Sequence, residues 1–327
     1  MLVDGYNRKI NYLRISVTDR CDLRCLYCMP PEGIEPKGRQ EMLRYEEIEK
    51  LVQAFVRLGV NRIRITGGEP LIRRGVVGLI ETLSRIEGIE DLSLTTNGTL
   101  LDQYAHCLKK AGLGRVNVSL DSLDPLRYRR ITRGGDLGQI LRGIRSSLEV
   151  GLIPVKLNVV IIRGVNDDEL SSFIDYVRRH PVWIRFIEFM PIGEDNLWAQ
   201  DRFVSSLEVK ERVSRICVLT PLARQAGSGP AAYYQVDKGN GMVGFISSLT
   251  EQTCQNCNRL RLTSEGRLRS CLLSDEEIDL RAALREGKQG EELSRQIEKA
   301  IKAKPLGHSL DLLNHPCTRG NMSAIGG

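Results

Sequence analysis

Six short runs rich in apolar and β-branched residues alternate, over the first two thirds of the chain, with stretches of helical periodicity. The runs predict β-strands over residues 13–17, 62–66, 91–95, 115–119, 154–162 and 184–189, and the stretches between them predict helices over residues 44–58, 73–86, 101–111, 137–150 and 167–179. Strands and helices that alternate at this spacing are typical of a parallel α/β sheet. Six repeats favour a partial (β/α)6 TIM-type barrel over a closed barrel of eight strands.

Polar motifs support this interpretation, because each lies at or just after the carboxyl end of a predicted strand. The first strand is followed by a cysteine-rich loop, the fifth carries Lys156 and Asn158, and the others are followed by Gly67-Gly68-Glu69-Pro70, Thr95-Thr96-Asn97-Gly98, Ser119-Leu120-Asp121-Ser122 and the segment from Glu188 to Pro191. In α/β barrels this edge carries the active site. We therefore expect these motifs to meet at one site.

The loop after the first strand contains Cys21, Cys25 and Cys28 at C-x3-C-x2-C spacing and ends at Pro30. Three cysteines this close together, in a chain without a secretory leader, indicate a metal site rather than a disulfide framework. Thiolates suit an iron–sulfur cluster, and three of them on four irons leave one iron open to a reactant. The alternatives are a structural zinc with a remote fourth ligand and three inert, buried thiols.

A second group of three cysteines lies near the C-terminus, with Cys254 and Cys257 at C-x2-C spacing and Cys271 further along. A predicted hairpin between them would return Cys271 to the first pair. A second three-cysteine cluster is the preferred interpretation. The alternative is a zinc ribbon completed by His308 or His315.

Arg259 and Arg261 are two residues apart on the first strand of that hairpin, which we predict over residues 259–263 and 267–270. Both side chains therefore point to the same face, beside the second cysteine group. Guanidinium groups form bidentate contacts with phosphate. Exposed arginines are common in hairpins, but their place beside the cysteines favours ligand binding.

The 327 residues carry a formal net charge of +6, which favours anionic partners, although an ordinary basic surface explains the charge as well. Basic residues are not interleaved with aromatic ones, so nucleic-acid binding is not supported. Apolar runs are too short to span a membrane. We expect a cytoplasmic protein.

Beyond residue 193 we predict a hairpin over 233–236 and 242–246, then helices over 276–287 and 291–303.

Together these motifs resemble the GTP 3′,8-cyclases, a family of the radical S-adenosylmethionine superfamily that acts early in molybdenum cofactor biosynthesis. The resemblance rests on both cysteine groups, on Tyr27 before the third cysteine, and on the segments 14–19, 62–70, 229–231 and 254–261. The C-terminal Gly326-Gly327 also matches. Asp22 departs from the family pattern, which usually has Asn there. The resemblance implies a radical S-adenosylmethionine partial barrel over residues 1–215 and a C-terminal α+β substrate and auxiliary-cluster domain over residues 216–327.

The family's functional residues can be carried over position by position. Cys21, Cys25 and Cys28 would hold the reducing [4Fe–4S] cluster, and Cys254, Cys257 and Cys271 a second one whose open iron binds the guanine of GTP. Contacts with S-adenosylmethionine are implied for Tyr27, Gly68, Ser119 and Met190. Contacts with the substrate are implied for Arg14, Arg64, Thr95, Lys156, Arg259, Leu260 (through its backbone) and Arg261. Catalytic roles are implied for Arg185, Gly326 and Gly327.

The reaction that the resemblance implies is a radical cyclisation. A 5′-deoxyadenosyl radical removes the ribose 3′ hydrogen, C3′ bonds to guanine C8, and an electron and a proton complete 3′,8-cyclo-7,8-dihydro-GTP. The implied partners are GTP, an external one-electron reductant and the next enzyme of the pathway, cyclic pyranopterin monophosphate synthase; a homodimer is compatible with the sequence.

Two other functions stay open from the residues alone. One is a radical S-adenosylmethionine peptide maturase with an auxiliary cluster, although such enzymes usually have more than three C-terminal cysteines. The other is a nucleic-acid-binding protein with two zinc ions. Metal content separates the second alternative, since two four-iron clusters bring about eight irons and sulfide per chain.

Overall fold

The computed structural model describes residues 2–192, 199–223, 229–251, 253–307 and 322–326. Within these residues the β-strands are β1 Tyr12–Ser16, β2 Arg62–Thr66, β3 Asp91–Thr96, β4 Arg115–Ser119, β5 Lys156–Ile161, β6 Trp183–Glu188, β7 Leu219–Pro221, β8 Ala232–Val236, β9 Met242–Ile246, β10 Arg259–Leu262, β11 Arg267–Arg269 and β12 Glu277–Asp279. The helices are α1 Tyr45–Arg57, α2 Val76–Ser84, α3 Leu101–Lys110, α4 Pro125–Thr132, α5 Leu137–Glu149, α6 Leu170–Arg179, α7 Ser206–Ser214, α8 Leu280–Arg285, α9 Gly290–Lys302 and α10 Met322–Ile325.

These strands form one sheet in the order β12-β11-β10-β1-β2-β3-β4-β5-β6-β9-β8-β7. Strands β1 to β6 are parallel to their neighbours, β10 adds to β1 in parallel, and β9 adds to β6 in parallel. The antiparallel strands β11 and β12 extend one edge, and β8 and β7 extend the other. Eight parallel strands therefore form the centre of the sheet.

Residues alternate between the two faces of the central strands, as the strand repeat of two requires. On β2, for example, Ile63 and Ile65 are fully buried in the hydrophobic core, whereas Arg62, Arg64 and Thr66 line an internal cavity. The apolar face of the sheet packs against the helices, which gives the burial that stabilises the fold. The opposite face is polar, so the inside of the barrel is a cavity rather than a packed core.

The six predicted strands and the partial barrel are confirmed, with strand ends shifted by at most two residues. The helix predicted over 276–287 is wrong at its start, because β12 pairs with β11 there. Helix α8 begins only after Asp279, whose carboxylate accepts the Ala282 N–H at 2.8 Å.

Helices α4 and α7 were not predicted, and both begin at side-chain caps. The Asp124 carboxylate accepts the Arg127 N–H at 2.7 Å, and the Ser205 hydroxyl accepts the Glu208 N–H at 3.1 Å.

The predicted domain boundary between residues 215 and 216 lies directly after α7, and strands from both sides join one sheet. The division into two domains stays a prediction. In the described ranges no helix has the length and apolarity needed to cross a bilayer.

Candidate active site

A cavity of about 1120 Å³ lies on the polar face of the sheet. Its lining includes the thiol-bearing residues of both cysteine groups, although the two groups are more than 220 residues apart in sequence. The inward-facing residues of the parallel strands form a large part of the remaining wall. The structure thus places both predicted metal sites around one shared space.

The first cysteine loop is held against α4 by backbone hydrogen bonds. The Leu26 N–H donates to the Ile131 carbonyl at 2.9 Å, and the Arg24 N–H donates to the Thr132 carbonyl at 3.1 Å. Within the loop, the Cys28 N–H donates to the Cys25 carbonyl at 2.9 Å. Burial is the main cause that raises the pKa values of all three thiols, and neighbouring ionisable groups such as Asp121 add to it. The pKa is about 11 for Cys21 and about 12 for Cys28, and that of Cys25 is also raised. Such thiols ionise once a cationic cluster compensates their charge, which fits metal ligands.

Gly68 allows the turn after β2 to lie against the cysteine loop. A Cβ atom at this position would be 2.1 Å from the carbonyl oxygen of Arg20, so only glycine fits. The Gly68 N–H donates to the Thr18 carbonyl at 2.7 Å. The next residue, Glu69, is fully buried and accepts the Asn97 N–H at 2.6 Å, which joins this turn to the loop after β3.

Tyr27 is oriented by a buried carboxylate. Its hydroxyl donates to Asp121 at 2.5 Å, and its ring makes an edge contact with Phe189 at a centroid distance of 6.4 Å. Asp121 also accepts the Val160 N–H at 2.8 Å, and burial raises its pKa to about 6. Tyr27 is thereby held at the wall of the cavity, which Ser119 and Met190 also line.

The second cysteine group has a more positive environment than the first. Burial alone would raise the pKa of Cys257, but the Arg259 guanidinium and the Lys304 ammonium lower it to about 6. The Lys304 ammonium donates to the carbonyl of Arg259 at 2.9 Å and to that of Ser270. The hairpin of β10 and β11 brings Cys271 to the same cavity, as predicted.

Each cysteine group brings three thiols to the cavity, and thiolates are ligands for both iron–sulfur clusters and structural zinc. Within the described residues no three His, Cys, Asp or Glu side chains converge closely enough to hold one metal ion. A structural zinc takes four protein ligands, whereas three thiolates would hold three irons of a four-iron cluster and leave the fourth open, so a group of three cysteines fits such a cluster. His308 and His315, named for the zinc alternative, lie outside the described residues.

Cations form a row across three neighbouring strands, with Arg64 and Arg261 buried and Arg14 half-buried. Arg14 on β1 is in register with Arg261 on β10 and with Arg64 on β2. Burial, together with neighbouring arginines, lowers the pKa of Arg261 to about 9 and that of Arg64 to about 10, and it lowers that of Arg14. A concentration of positive charge in a closed space is stabilised when an anion enters it.

Lys156 lies further along the same wall between two aromatic side chains. Its ammonium is 4.2 Å from the centroid of the Trp183 ring and 3.4 Å from the Tyr233 hydroxyl. Burial, followed by the charges of Arg185 and Arg115, lowers the pKa of Lys156 to about 6. The lysine is therefore mostly neutral at pH 7 until an anion restores its charge.

Arg185 and Thr95 have polar atoms that remain available to a ligand. The Arg185 guanidinium donates to Asn117 Oδ1 at 2.7 Å, which fixes its direction. Its Nε, like the hydroxyl of Thr95, is buried without a hydrogen-bond partner among the described residues. Buried polar atoms are rarely left unpaired, so a bound molecule is expected here.

Comparison with known proteins shows the family of this chain. Residues 15–177 match the family model of the radical SAM superfamily, and residues 182–310 match that of Molybdenum Cofactor Synthesis C. A GTP 3′,8-cyclase from Alkaliphilus oremlandii is 50% identical over 99% of this chain and 99% of its own length. One from Pelotomaculum thermopropionicum is 51% identical over the same shares. The chain belongs to the GTP 3′,8-cyclase family.

Solved structures share the fold of this GTP 3′,8-cyclase family member. SuiB of Streptococcus suis matches with a TM-score of 0.63 at 14% identity, over 92% of this chain and 68% of the other. The same protein bound to S-adenosylmethionine matches with a TM-score of 0.59 at 14% identity, over 83% and 63%. These structures share the fold alone. The identity of about 50% to cyclases over nearly the full length confirms the family that the motifs indicated, and it decides against the two alternative functions.

The C-terminal segment of this family member lies inside the barrel. Helix α10 contacts β1, and its residues Met322 and Ser323 line the cavity. Gly326 is buried, and its carbonyl accepts a hydrogen bond from the Arg261 guanidinium. Gly327 lies outside the described residues, so its predicted role stays a prediction.

The cavity brings together all the predicted site residues except Leu260, Gly326 and Gly327. The Leu260 side chain is buried in the core, and the predicted contact through its backbone stays a prediction. Sequence reasoning missed further lining residues: Tyr12, Arg62, Arg115, Trp183, Tyr233 and Lys304. The strand repeat could have indicated most of them, because Tyr12, Arg62 and Trp183 each lie two residues before a predicted site residue.

Proposed function

We propose that this protein converts GTP into 3′,8-cyclo-7,8-dihydro-GTP, the early step of molybdenum cofactor biosynthesis that its family carries out. One observation supports this most: two cysteine groups and a row of cations line a single cavity. A polyanionic nucleotide can therefore lie between two cluster sites.

In this proposal Cys21, Cys25 and Cys28 hold a [4Fe–4S] cluster that receives S-adenosylmethionine, and Cys254, Cys257 and Cys271 hold a second one. When bound, the first cluster and S-adenosylmethionine supply a 5′-deoxyadenosyl radical. Membership of the radical SAM superfamily supports the first cluster. The second rests on the three thiols at the cavity and on the cations beside Cys257.

The cations of the wall bind the triphosphate. Its charge is near −4 and must be neutralised before the nucleotide leaves water. Arg14, Arg64 and Arg261 lie in one row, and Lys156 gains its proton when the anion approaches. Binding of the distant phosphates then positions the ribose for reaction, which is the main contribution a protein makes to such chemistry.

The remaining wall orients the reacting groups and excludes water. Tyr27 is held by Asp121, and Arg185 by Asn117, so both side chains are in place before ligands bind. The Gly326 carbonyl at Arg261 places the C-terminal segment beside the triphosphate-binding row. We also propose an external one-electron reductant, hand-off to the next pathway enzyme and a cytoplasmic location; a homodimer is compatible with this proposal.

The test is an anaerobic assay of reconstituted, reduced protein with S-adenosylmethionine and 3′-deuterated GTP. We expect deuterium in the 5′-deoxyadenosine product, and we expect none with the Cys25→Ala variant. Formation of 5′-deoxyadenosine without deuterium would support cleavage of S-adenosylmethionine by the protein and would refute GTP as the substrate. Absence of deoxyadenosine, in protein shown to contain iron and sulfide, would refute the enzyme function.

A further inference from the structure

The carboxylate of Asp22 lies beside the sulfur of Cys21 in the first cysteine loop. The distance from Asp22 Oδ1 to Cys21 Sγ is 3.9 Å. When Cys21 holds an iron, its sulfur is a thiolate and has no proton to donate to the carboxylate. A fixed carboxylate and a cluster ligand then face each other at this distance. Asp22 is also the residue at which the sequence departs from the family pattern.

Two neutral side chains from the loop after β3 hold this carboxylate in place. The Asn97 amide donates to Asp22 Oδ1 at 2.7 Å, and the Thr99 hydroxyl donates to Asp22 Oδ2 at 2.6 Å. Asn97 is itself fixed, because its backbone N–H donates to the buried Glu69 and its side-chain oxygen accepts the Thr99 N–H at 2.9 Å. Since both donors are neutral, these bonds keep the carboxylate at the sulfur without cancelling its charge.

A positive charge of the same loop, that of Arg24, is directed at backbone oxygens. Its guanidinium donates to the carbonyl of Cys21 at 2.6 Å and to that of Leu23 at 3.0 Å. These bonds do not depend on the side chain at position 22. A substitution of Asp22 therefore changes the charge beside Cys21 and leaves this cation in place.

The charge beside a cluster affects how easily the cluster is reduced. Reduction potentials of iron–sulfur clusters depend on net charge, on hydrogen bonds to the sulfurs and on solvent exposure. Reduction adds one electron, so a fixed negative charge at a ligand sulfur opposes it. The carboxylate is closer to that sulfur than the Debye length of about 8 Å at physiological ionic strength, so salt screens the interaction only in part.

We propose that the Asp22 carboxylate lowers the reduction potential of the cluster at the first cysteine loop. This inference rests on the proposed function, because that function places the cluster there. In the redox step the external reductant loses one electron and the cluster gains it. Asp22 makes this step less favourable, and it makes the reduced cluster a stronger one-electron donor to S-adenosylmethionine.

Replacement of Asp22 by asparagine isolates the charge. Asparagine has nearly the shape of aspartate, its side-chain oxygen can accept the Asn97 amide, and its NH₂ group can donate to the Thr99 hydroxyl. Asp22→Asn therefore removes one negative charge and keeps both contacts, whereas Asp22→Glu keeps the charge. Glu149→Gln removes one negative charge from an exposed residue at the end of α5 and is the matched control.

The test is a redox titration of the reconstituted full-length holoprotein without S-adenosylmethionine, followed by electron paramagnetic resonance of the reduced clusters. Each of the two clusters gives a one-electron step. The step of the first cluster is identified in Cys254→Ala/Cys257→Ala/Cys271→Ala protein, which has only the first cysteine group. Iron and sulfide analysis measures the cluster content of each protein.

We expect the step of the first cluster to move to higher potential in Asp22→Asn. At the potential that half-reduces this cluster in the wild type, its ratio of reduced to oxidised form should rise about tenfold, which corresponds to about 59 mV for one electron. The step of the second cluster should not move. In Asp22→Glu and Glu149→Gln the ratio should stay within about twofold of the wild-type value.

An unchanged first step in Asp22→Asn, an equal shift in either control, or a shift confined to the second cluster would overturn the proposal. Loss of iron from Asp22→Asn would assign Asp22 a structural role and would overturn it as well. Wild-type protein that forms no cluster at the first cysteine loop would refute the proposed function instead.

Discussion

The Arg261 guanidinium on β10 donates to the carbonyl of Gly326, four residues beyond the start of α10. This bond joins β10, which follows Cys254 and Cys257, to the C-terminal segment of the chain. The same arginine is in register with Arg14, so the segment reaches the row of cations.

Replacing Gly326 by alanine should lower GTP turnover. A Cβ atom there would be 2.6 Å from Thr66 Cγ2, and the backbone has a φ of +80°, which costs an alanine about 1 kcal/mol. We expect at least about a tenfold loss of turnover with little change in thermal stability. Gly164→Ala is the control, since it has a φ of +72° and open space around it. If both substitutions lowered turnover equally, the loss would come from backbone strain at a positive φ and not from the contact between residue 326 and Thr66.

Lys304→Met should weaken the second cluster site and leave the first unchanged. The buried ammonium donates to the carbonyls of Arg259 and Ser270, so methionine leaves both unpaired, at about 1–3 kcal/mol each. Iron and sulfide analysis of a Cys21→Ala/Cys25→Ala/Cys28→Ala background isolates the second site. We expect less iron in that background with Lys304→Met than with Lys302→Met, which changes an exposed neighbour on α9. Full iron content with Lys304→Met would contradict a positioning role.

Lys156→Met should change the pH dependence of ligand-free stability. The folded lysine has a pKa of about 6 against 10.5 for the ordinary side chain, so between these values the unfolded chain binds more protons. The free energy of unfolding of the wild type should therefore rise with pH across this window, and less so in the variant. Urea unfolding at pH 6.5 and 9 measures the slope, with Lys110→Met as the exposed control.

The same lysine should take up a proton when GTP binds at pH 8. An approaching triphosphate raises its pKa, and calorimetry in buffers of different ionisation enthalpy detects the uptake. The uptake should disappear in Lys156→Met. Uptake that persists there would assign the proton to another group.

Gly68→Ala should prevent the first cluster from forming normally. Its Cβ would lie 2.1 Å from a backbone oxygen next to Cys21, and a backbone atom cannot move aside as a side-chain end can. We expect at least about a tenfold loss of S-adenosylmethionine affinity together with lower iron content. Gly78→Ala in α2 has open space and should be neutral or stabilising by up to about 1 kcal/mol. Normal binding by Gly68→Ala would show that the loop adjusts.

Much of the fold was predictable because local signals agreed with the tertiary structure. The strands of the barrel alternate apolar and mostly polar residues, and their polar motifs lie where parallel strands end. The helix predicted from residue 276 failed because residues 277–279 pair with β11, a long-range contact that outweighs helix propensity. Helix α4 is only eight residues long and basic, so its pattern was too weak to detect.

By itself the sequence determined the six cysteines, the strand–helix alternation and the family, because each depends on residue type and spacing. Only the tertiary structure decided that Cys21 and Cys271 line one cavity, that Lys304 bonds to the carbonyls of Arg259 and Ser270, and that α4 packs against the first cysteine loop. The residues in these contacts are up to about 250 positions apart in sequence, so they meet only when the whole sheet has formed. The burial and crowding that shift the pKa of Lys156 arise in the same way, since its charged neighbours come from four other strands.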